Sequence, residues 1–158
     1  MKIEEAKKIF CENLELLNKS LKWLKKSYER AKNINLNKSN LSEDELETLE
    51  TLSNRFSRVV DILINKVLRS LDILELEDIT RKLDIVIRAE KRGFVEDYRV
   101  LIELKDLRNE LVHEYIQEVI VERFKEVIEK TPVVIDIVEK VNRYVDNLKY
   151  CDKEDYQL

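Results

Sequence analysis

One glycine and one proline stand among 158 residues. A β protein spends many of both at its turns, where the backbone needs a left-handed or a fixed φ. A chain so poor in them has few reverse turns and must run in long, straight elements. The remaining composition suits helices: 44% of residues are hydrophobic and 39% charged, with Leu, Ile, Glu, Lys and Arg leading, the mixture of long amphipathic helices. At this length one domain can bury a core without disulfides or metals. The surplus of Lys and Glu also suits a heat-adapted source.

The apolar residues fall into stripes at steps of three and four. The first runs through Ile3, Ala6, Phe10, Leu14, Leu17, Leu21, Leu24, Tyr28 and Ala31 and ends at the polar, Asn-rich connection 33–40. Ser42 with Glu45 forms a capping-box pattern and opens a second stripe through Leu46, Leu49, Leu52, Phe56, Val59, Leu63, Val67 and Leu71. A shorter helix is expected over 78–91, stopped by Gly93 at the position after a helix where glycine is favoured. A fourth should begin near Val95. The last stripe, from Ile116 to Leu148, contains Pro132, which should kink it or start a new helix. No repeat or domain boundary is visible. Short connections between long helices favour antiparallel neighbours. The expected fold is therefore all-α, an antiparallel up-and-down bundle of four to five helices over residues 1–150, with 151–158 as a fraying polar tail.

Several functional classes fall away. No apolar run approaches the roughly 20 residues that span a bilayer, so no membrane partner is expected. Cys11 and Cys151 sit near opposite ends with no metal-ligand or redox spacing. With no secretory or transit signal in view, they read as reduced thiols of a cytoplasmic protein. One histidine and scattered acids make no metal site, one glycine makes no phosphate-cradling loop, and no cofactor is expected. The net charge of −4 disfavours nonspecific nucleic-acid binding by the whole protein; any RNA contact must be local or arise on assembly.

The single histidine lies in "LRNELVHEY", residues 107–115. Imidazole exchanges a proton near neutral pH without a large pKa shift, and arginine braces two phosphate oxygens bidentately. Arg108 and His113 together can activate an RNA 2′-hydroxyl and stabilise the phosphorane charge, with Asn109 orienting the ring or the phosphate. Yet residues five apart on an ideal helix diverge by about 140°. A joint site needs a bend, a long reach by the arginine, or a second subunit. On residue chemistry alone, a lone histidine beside Leu111 and Val112 is more often a packed side chain than a catalyst, because short motifs recur by chance.

"RNELVHEY" resembles the signature of HEPN-domain proteins, and the spacing Arg108-x4-His113-x-Tyr115 is similar to that of the HepT toxins. "RFSRVVDILINKVLRSLD" (55–72) resembles that family's second core helix, and residues 79–107 its short helix and turn before the motif, so the likeness covers about residues 50–150. The resemblance implies a HEPN-like helical bundle that dimerises with its motifs facing across the interface, which would meet the geometric requirement. It also implies a metal-independent ribonuclease acting on RNA. Arg108 and His113 become the catalytic pair, Asn109 an auxiliary and Asp61 a candidate support. Tyr115 becomes the residue to which a cognate minimal nucleotidyltransferase, the antitoxin, attaches AMP. Glu114 stands where the family often has a small residue. The same residues suit a non-catalytic helical subunit that binds a nucleotidyltransferase and presents its substrate, and a scaffolding bundle is a third reading.

The most basic stretch is 19–32, where six cations stand against Glu29. Lys19, Lys22, Lys26 and Arg30 share one side of a helix beside Trp23, a face along which an RNA backbone can run with a base on the indole. A merely solvated face is the commoner outcome for such a run.

Overall fold

The computed structural model describes residues 2–113 and 117–152, and for 113 and 117–120 the backbone only. The protein is 79% helix, with no strand among the described residues. Helix α1 covers Ile3–Ala31 and α2 covers Glu43–Asp61; α2 continues without a break through a π-helical segment, Ile62–Leu68, into α3, Arg69–Leu74. Then come α4 (Lys82–Lys91), α5 (Arg99–His113) and α6 (Gln117–Leu148). With α2, the π segment and α3 forming one rod, there are five helical rods among the described residues.

The first two stripes become buried faces. Phe10, Leu14, Leu17 and Leu24 of α1 meet Leu49, Leu52, Phe56 and Val59 of α2, all fully buried. The capping box forms in both directions: Glu45 N–H donates to Ser42 Oγ at 3.1 Å and Ser42 N–H to Glu45 Oε1 at 2.9 Å. Side chains fix the direction of each pairing. Arg55 reaches Ser27 (2.7 Å) while Asn13 reaches Ser70 (3.2 Å), so α1 and the long rod are antiparallel. Asn18 and Asn142 exchange amide hydrogen bonds at 3.0 and 2.9 Å, between α1 and α6. Arg123–Glu110 (3.0 Å) and Lys130–Glu103 (3.6 Å) run α6 back along α5. Since α2 also packs on α5, the four long rods form an up-and-down ring, the expected architecture, with α4 laid over the π segment and α5.

The sequence reading differs from the structure at several points. Helix α4 starts at Lys82, not near Asp78, because the Asp78 carboxylate accepts the backbone N–H of Thr80 at 2.9 Å as well as its hydroxyl, a local turn that competes with helix. Helix α5 starts at Arg99 rather than near Val95; Asp97 takes the Arg99 N–H (2.9 Å) and Glu90 takes that of Tyr98 (3.0 Å). Pro132 starts no new helix: α6 runs through it. The proline lies on an exposed position, so the carbonyl deprived of its N–H partner faces water. The cysteines are not reduced thiols. Cys11 and Cys151, 140 residues apart in sequence, have Cα atoms 5.7 Å apart and form a disulfide that ties α1 to the end of α6. Cys151 is buried rather than part of a loose tail.

Three helix ends close alike. After α4, Phe94 N–H reaches Ala89 O at 3.0 Å and Gly93 N–H reaches Glu90 O at 2.9 Å, with Gly93 at φ +85°, the Schellman arrangement expected there. The same paired bonds end α3 around Leu76 (φ 63°) and α6 around Lys149 (φ 54°). Leu76 is 85% exposed, so it holds a left-handed backbone with little packing in return. Leu76→Gly should stabilise the protein by about 0.5–1 kcal/mol, since relief of roughly 1–2 kcal/mol of strain exceeds the added freedom of the unfolded chain. A urea midpoint that stays put or falls would refute this.

A charged cluster locks α4 to the ends of α3 and α6. Asp72, fully buried, accepts from Arg88 at 3.0 Å and Arg92 at 2.6 Å. Arg92 also pairs with Glu75 at 2.8 Å, and Glu75 takes hydrogen bonds from the hydroxyls of Tyr144 (2.7 Å) and Tyr150 (2.5 Å). Burial pushes the Glu75 carboxyl up, but the two tyrosines and Arg92 outweigh it and hold the group below its ordinary 4.5. Burial and the Glu75 charge push the Tyr150 hydroxyl up. In the sequence these tyrosines formed no recognisable site.

Candidate active site

The π segment buries five of its seven residues. Ile62, Leu63, Ile64, Val67 and Leu68 are all buried, because α1 covers one side of the rod and α4 another. Its loosened ladder is satisfied from the side: Lys66 O accepts from Ser70 Oγ (2.6 Å) and Asn13 Nδ2 (3.4 Å). Such segments widen a helix locally and often accompany functional sites. Here the segment begins immediately after Asp61. Asn65 Nδ2 donates to Asp61 Oδ1 at 2.7 Å, and Asp61 Oδ1 lies 3.8 Å from Arg108 Nη2 of α5.

Arg108 and Asp61 are about one-third exposed, at 33% and 38% of their side chains. Arg108 Nη1 also donates to Asn109 Oδ1 at 2.9 Å. Its Nε is buried and finds no acceptor among the described residues. The guanidinium is thus held at one edge by Asn109 and, at long range, by Asp61, with donor capacity to spare. That arrangement leaves the planar group able to grip an anion.

The structure therefore brings together Arg108, Asn109 and Asp61 from the sequence-derived set, and adds Asn65. The available signal for Asn65 was a polar pair four residues apart, Asp61 and Asn65, inside an otherwise apolar run. His113 is the last described residue of α5. Helix α5 has no break between Arg108 and His113, so no bend brings the pair onto one face; of the three routes, the arginine's reach or a second copy remains. The His113 side chain lies outside the described residues, as does Tyr115 altogether.

The basic face of α1 lies elsewhere. Helix α1 packs on the long rod and α6, and α5 sits across the ring from it. Trp23 is 49% exposed, but Lys26 Nζ lies 4.6 Å and Arg55 Cζ 5.3 Å from its ring centroid, so a stacking base must displace a cation. Lys19 is paired with Glu15 at 3.0 Å. Lys22 borders a shallow hollow with Glu139, and Arg30 another with Asp44 and Glu47. No described hydrogen bond or ion pair joins this face to Arg108.

Beside the arginine cluster, the π segment, α3, α4 and α5 enclose a cleft of about 610 Å³, of which Asn65 and Asn109 are lining residues. Among the described residues no group of His, Cys, Asp and Glu has a metal-binding arrangement, and no helix is long and apolar enough to cross a membrane. Comparison with protein-family models, curated proteins and solved structures finds no match to this chain.

Proposed function

We propose that this protein is a cytoplasmic, homodimeric ribonuclease toxin of the HEPN type, similar to the HepT toxins. It cuts RNA without a metal and is silenced when a partner nucleotidyltransferase transfers AMP to Tyr115. The observation that carries this reading is the arginine cluster: Arg108 is held by Asn109 and near Asp61, stands beside a cleft that Asn109 lines, and shares its helix with the only histidine. His113 takes the proton of a 2′-hydroxyl, whose oxygen attacks the adjacent phosphorus. Arg108 braces the non-bridging oxygens as charge gathers there; the bond from phosphorus to the 5′-oxygen breaks and that oxygen takes a proton from water, giving a 2′,3′-cyclic phosphate. Asp61 is a positioning residue. Facing motifs from two copies would supply an arginine and a histidine to one cleft without requiring them on one helix face. AMP on Tyr115 would add bulk and negative charge near a phosphate-binding arginine. An internal disulfide in a cytoplasmic protein is the habit of heat-adapted organisms, which the Lys and Glu surplus also suits.

The test is cleavage of a mixed set of RNAs in EDTA by protein whose intact mass shows no AMP, beside His113→Ala. Wild-type cleavage absent in the variant is the expected result. No cleavage by unmodified protein across the set would instead favour a non-catalytic subunit that binds the nucleotidyltransferase and presents its substrate.

A further inference from the structure

The cleft beside Arg108 has a composition of its own. Arg69 from the first turn of α3, Lys82 from the start of α4 and Lys105 from α5 converge on it. Among the described residues, none of the three side chains has an ion pair or hydrogen bond, and Asp106 is the only carboxylate lining the space. Three cations against one acid leave a local charge of +2 in a protein of net −4. Such a patch attracts anions more strongly than the whole-molecule charge suggests.

The walls are apolar. Ile64, Val86 and Leu101 are buried beneath the cleft, while Leu83, 42% exposed, and the half-buried Ile102 flank the opening. Aliphatic walls under a rim of unpaired cations suit a ligand that is planar and apolar at one end and anionic at the other. The amides at the motif end add direction. Asn65 spends its NH₂ on Asp61, leaving its oxygen free; Asn109 spends its oxygen on Arg108, leaving its NH₂ free. One acceptor and one donor match the edge of a base or a ribose. The volume is that of a small-ligand site.

We propose that this cleft seats a nucleoside phosphate, as one nucleotide of a single-stranded RNA lying next to the phosphate held by Arg108. Its base packs on Leu83 and Ile102, and its backbone phosphates meet Arg69, Lys82 and Lys105. In taking the ligand as part of an RNA strand this rests on the ribonuclease reading; the existence of the site does not.

The test uses full-length protein and a short fluorescent 2′-O-methyl oligoribonucleotide, which cannot be cut through its 2′-oxygen. Anisotropy gives the affinity at several salt concentrations, with AMP as competitor. Four phosphate contacts, from Arg108 and the three cleft cations, predict a slope of log affinity against log salt of about −2.8, falling to about −1.4 in Arg69→Ala/Lys105→Ala. Affinity should drop more than about tenfold in that variant. Arg69 and Lys82 are exposed and Lys105 is half-buried, so melting temperatures should hold and the variants report on binding. Lys91→Glu is the control, since Lys91 lies about 180° around α4 from Lys82.

Wild-type affinity in the double variant, or binding of neither the oligonucleotide nor AMP by the wild type, overturns the cleft proposal even if RNA is cleaved. Loss of binding in the double variant, in a wild type that never cleaves RNA, supports the cleft and removes the ribonuclease. Binding of AMP with none of the oligonucleotide would overturn the RNA strand as occupant and assign the site to free nucleotides.

Discussion

Asp72→Ala should cost the protein about 3–5 kcal/mol, the usual penalty for breaking a buried ion pair from one side. Asp72 is fully buried and bonds both Arg88 and Arg92; without it, two guanidinium groups keep their burial and lose their main counter-charge. Arg88 retains Glu77 at 3.3 Å and Arg92 retains Glu75. The loss should therefore stay within that range and not exceed it. For a domain of this size it corresponds to a fall in melting temperature of roughly 6–20 °C. Replacing the group together, as Asp72→Leu/Arg88→Met/Arg92→Met, should cost less than the single change, because no unpaired charge then remains buried. Urea unfolding of the two variants decides it. A single-variant loss below about 1 kcal/mol, or a triple variant worse than the single one, would show that the cluster does not clamp α4.

Removing the disulfide should have an effect of similar size. The Cys11–Cys151 bond closes a loop of 140 residues, nearly the whole chain. Chain-entropy reasoning gives roughly 5 kcal/mol for so long a loop, and measured losses for native disulfides run about 2–5 kcal/mol. The bond also holds α1 against α6, the first and last rods of the ring, whose described polar link is otherwise the Asn18–Asn142 pair. Cys11→Ala/Cys151→Ala should lower the urea midpoint accordingly, and reductant should do the same to wild type while leaving the variant unmoved. If reductant shifts both equally or neither, the bond is not what closes the bundle.

The effects differ in origin. Asp72 acts on the folded state, through a charge that water no longer screens. The disulfide acts mainly on the unfolded state, by limiting the conformations open to it. Sites so far apart in role should add in combination, with coupling confined to the Tyr144 and Tyr150 hydroxyls, which join α6 and the turn after it to the Glu75 arm of the charged cluster.

Much of the helical layout was legible in the residues. The bounds of α1, the capping box of α2 and the glycine stop after α4 follow from spacing and local hydrogen bonding, which act within a turn or two of chain. The short helices began later than expected because Asp78, Asp97 and Glu90 captured backbone N–H groups before helix could form. The π segment left one trace. Val59, Leu63, Val67 and Leu71 recur at three successive steps of four, which would drift about 120° around a regular α-helix but remain on one buried line in a wider one.

What the residues alone determined is the helical class, the stripe each helix buries, and a short motif whose chemistry suits RNA. Those depend on neighbours three or four apart in sequence. Only the tertiary structure paired Cys11 with Cys151, gathered Tyr144 and Tyr150 on Glu75, set Asp61 near Arg108, and drew Arg69, Lys82 and Lys105 to one cleft. Each joins residues from separate elements, with contact set by how rods cross and which faces meet, and no local pattern in the chain encodes that distance.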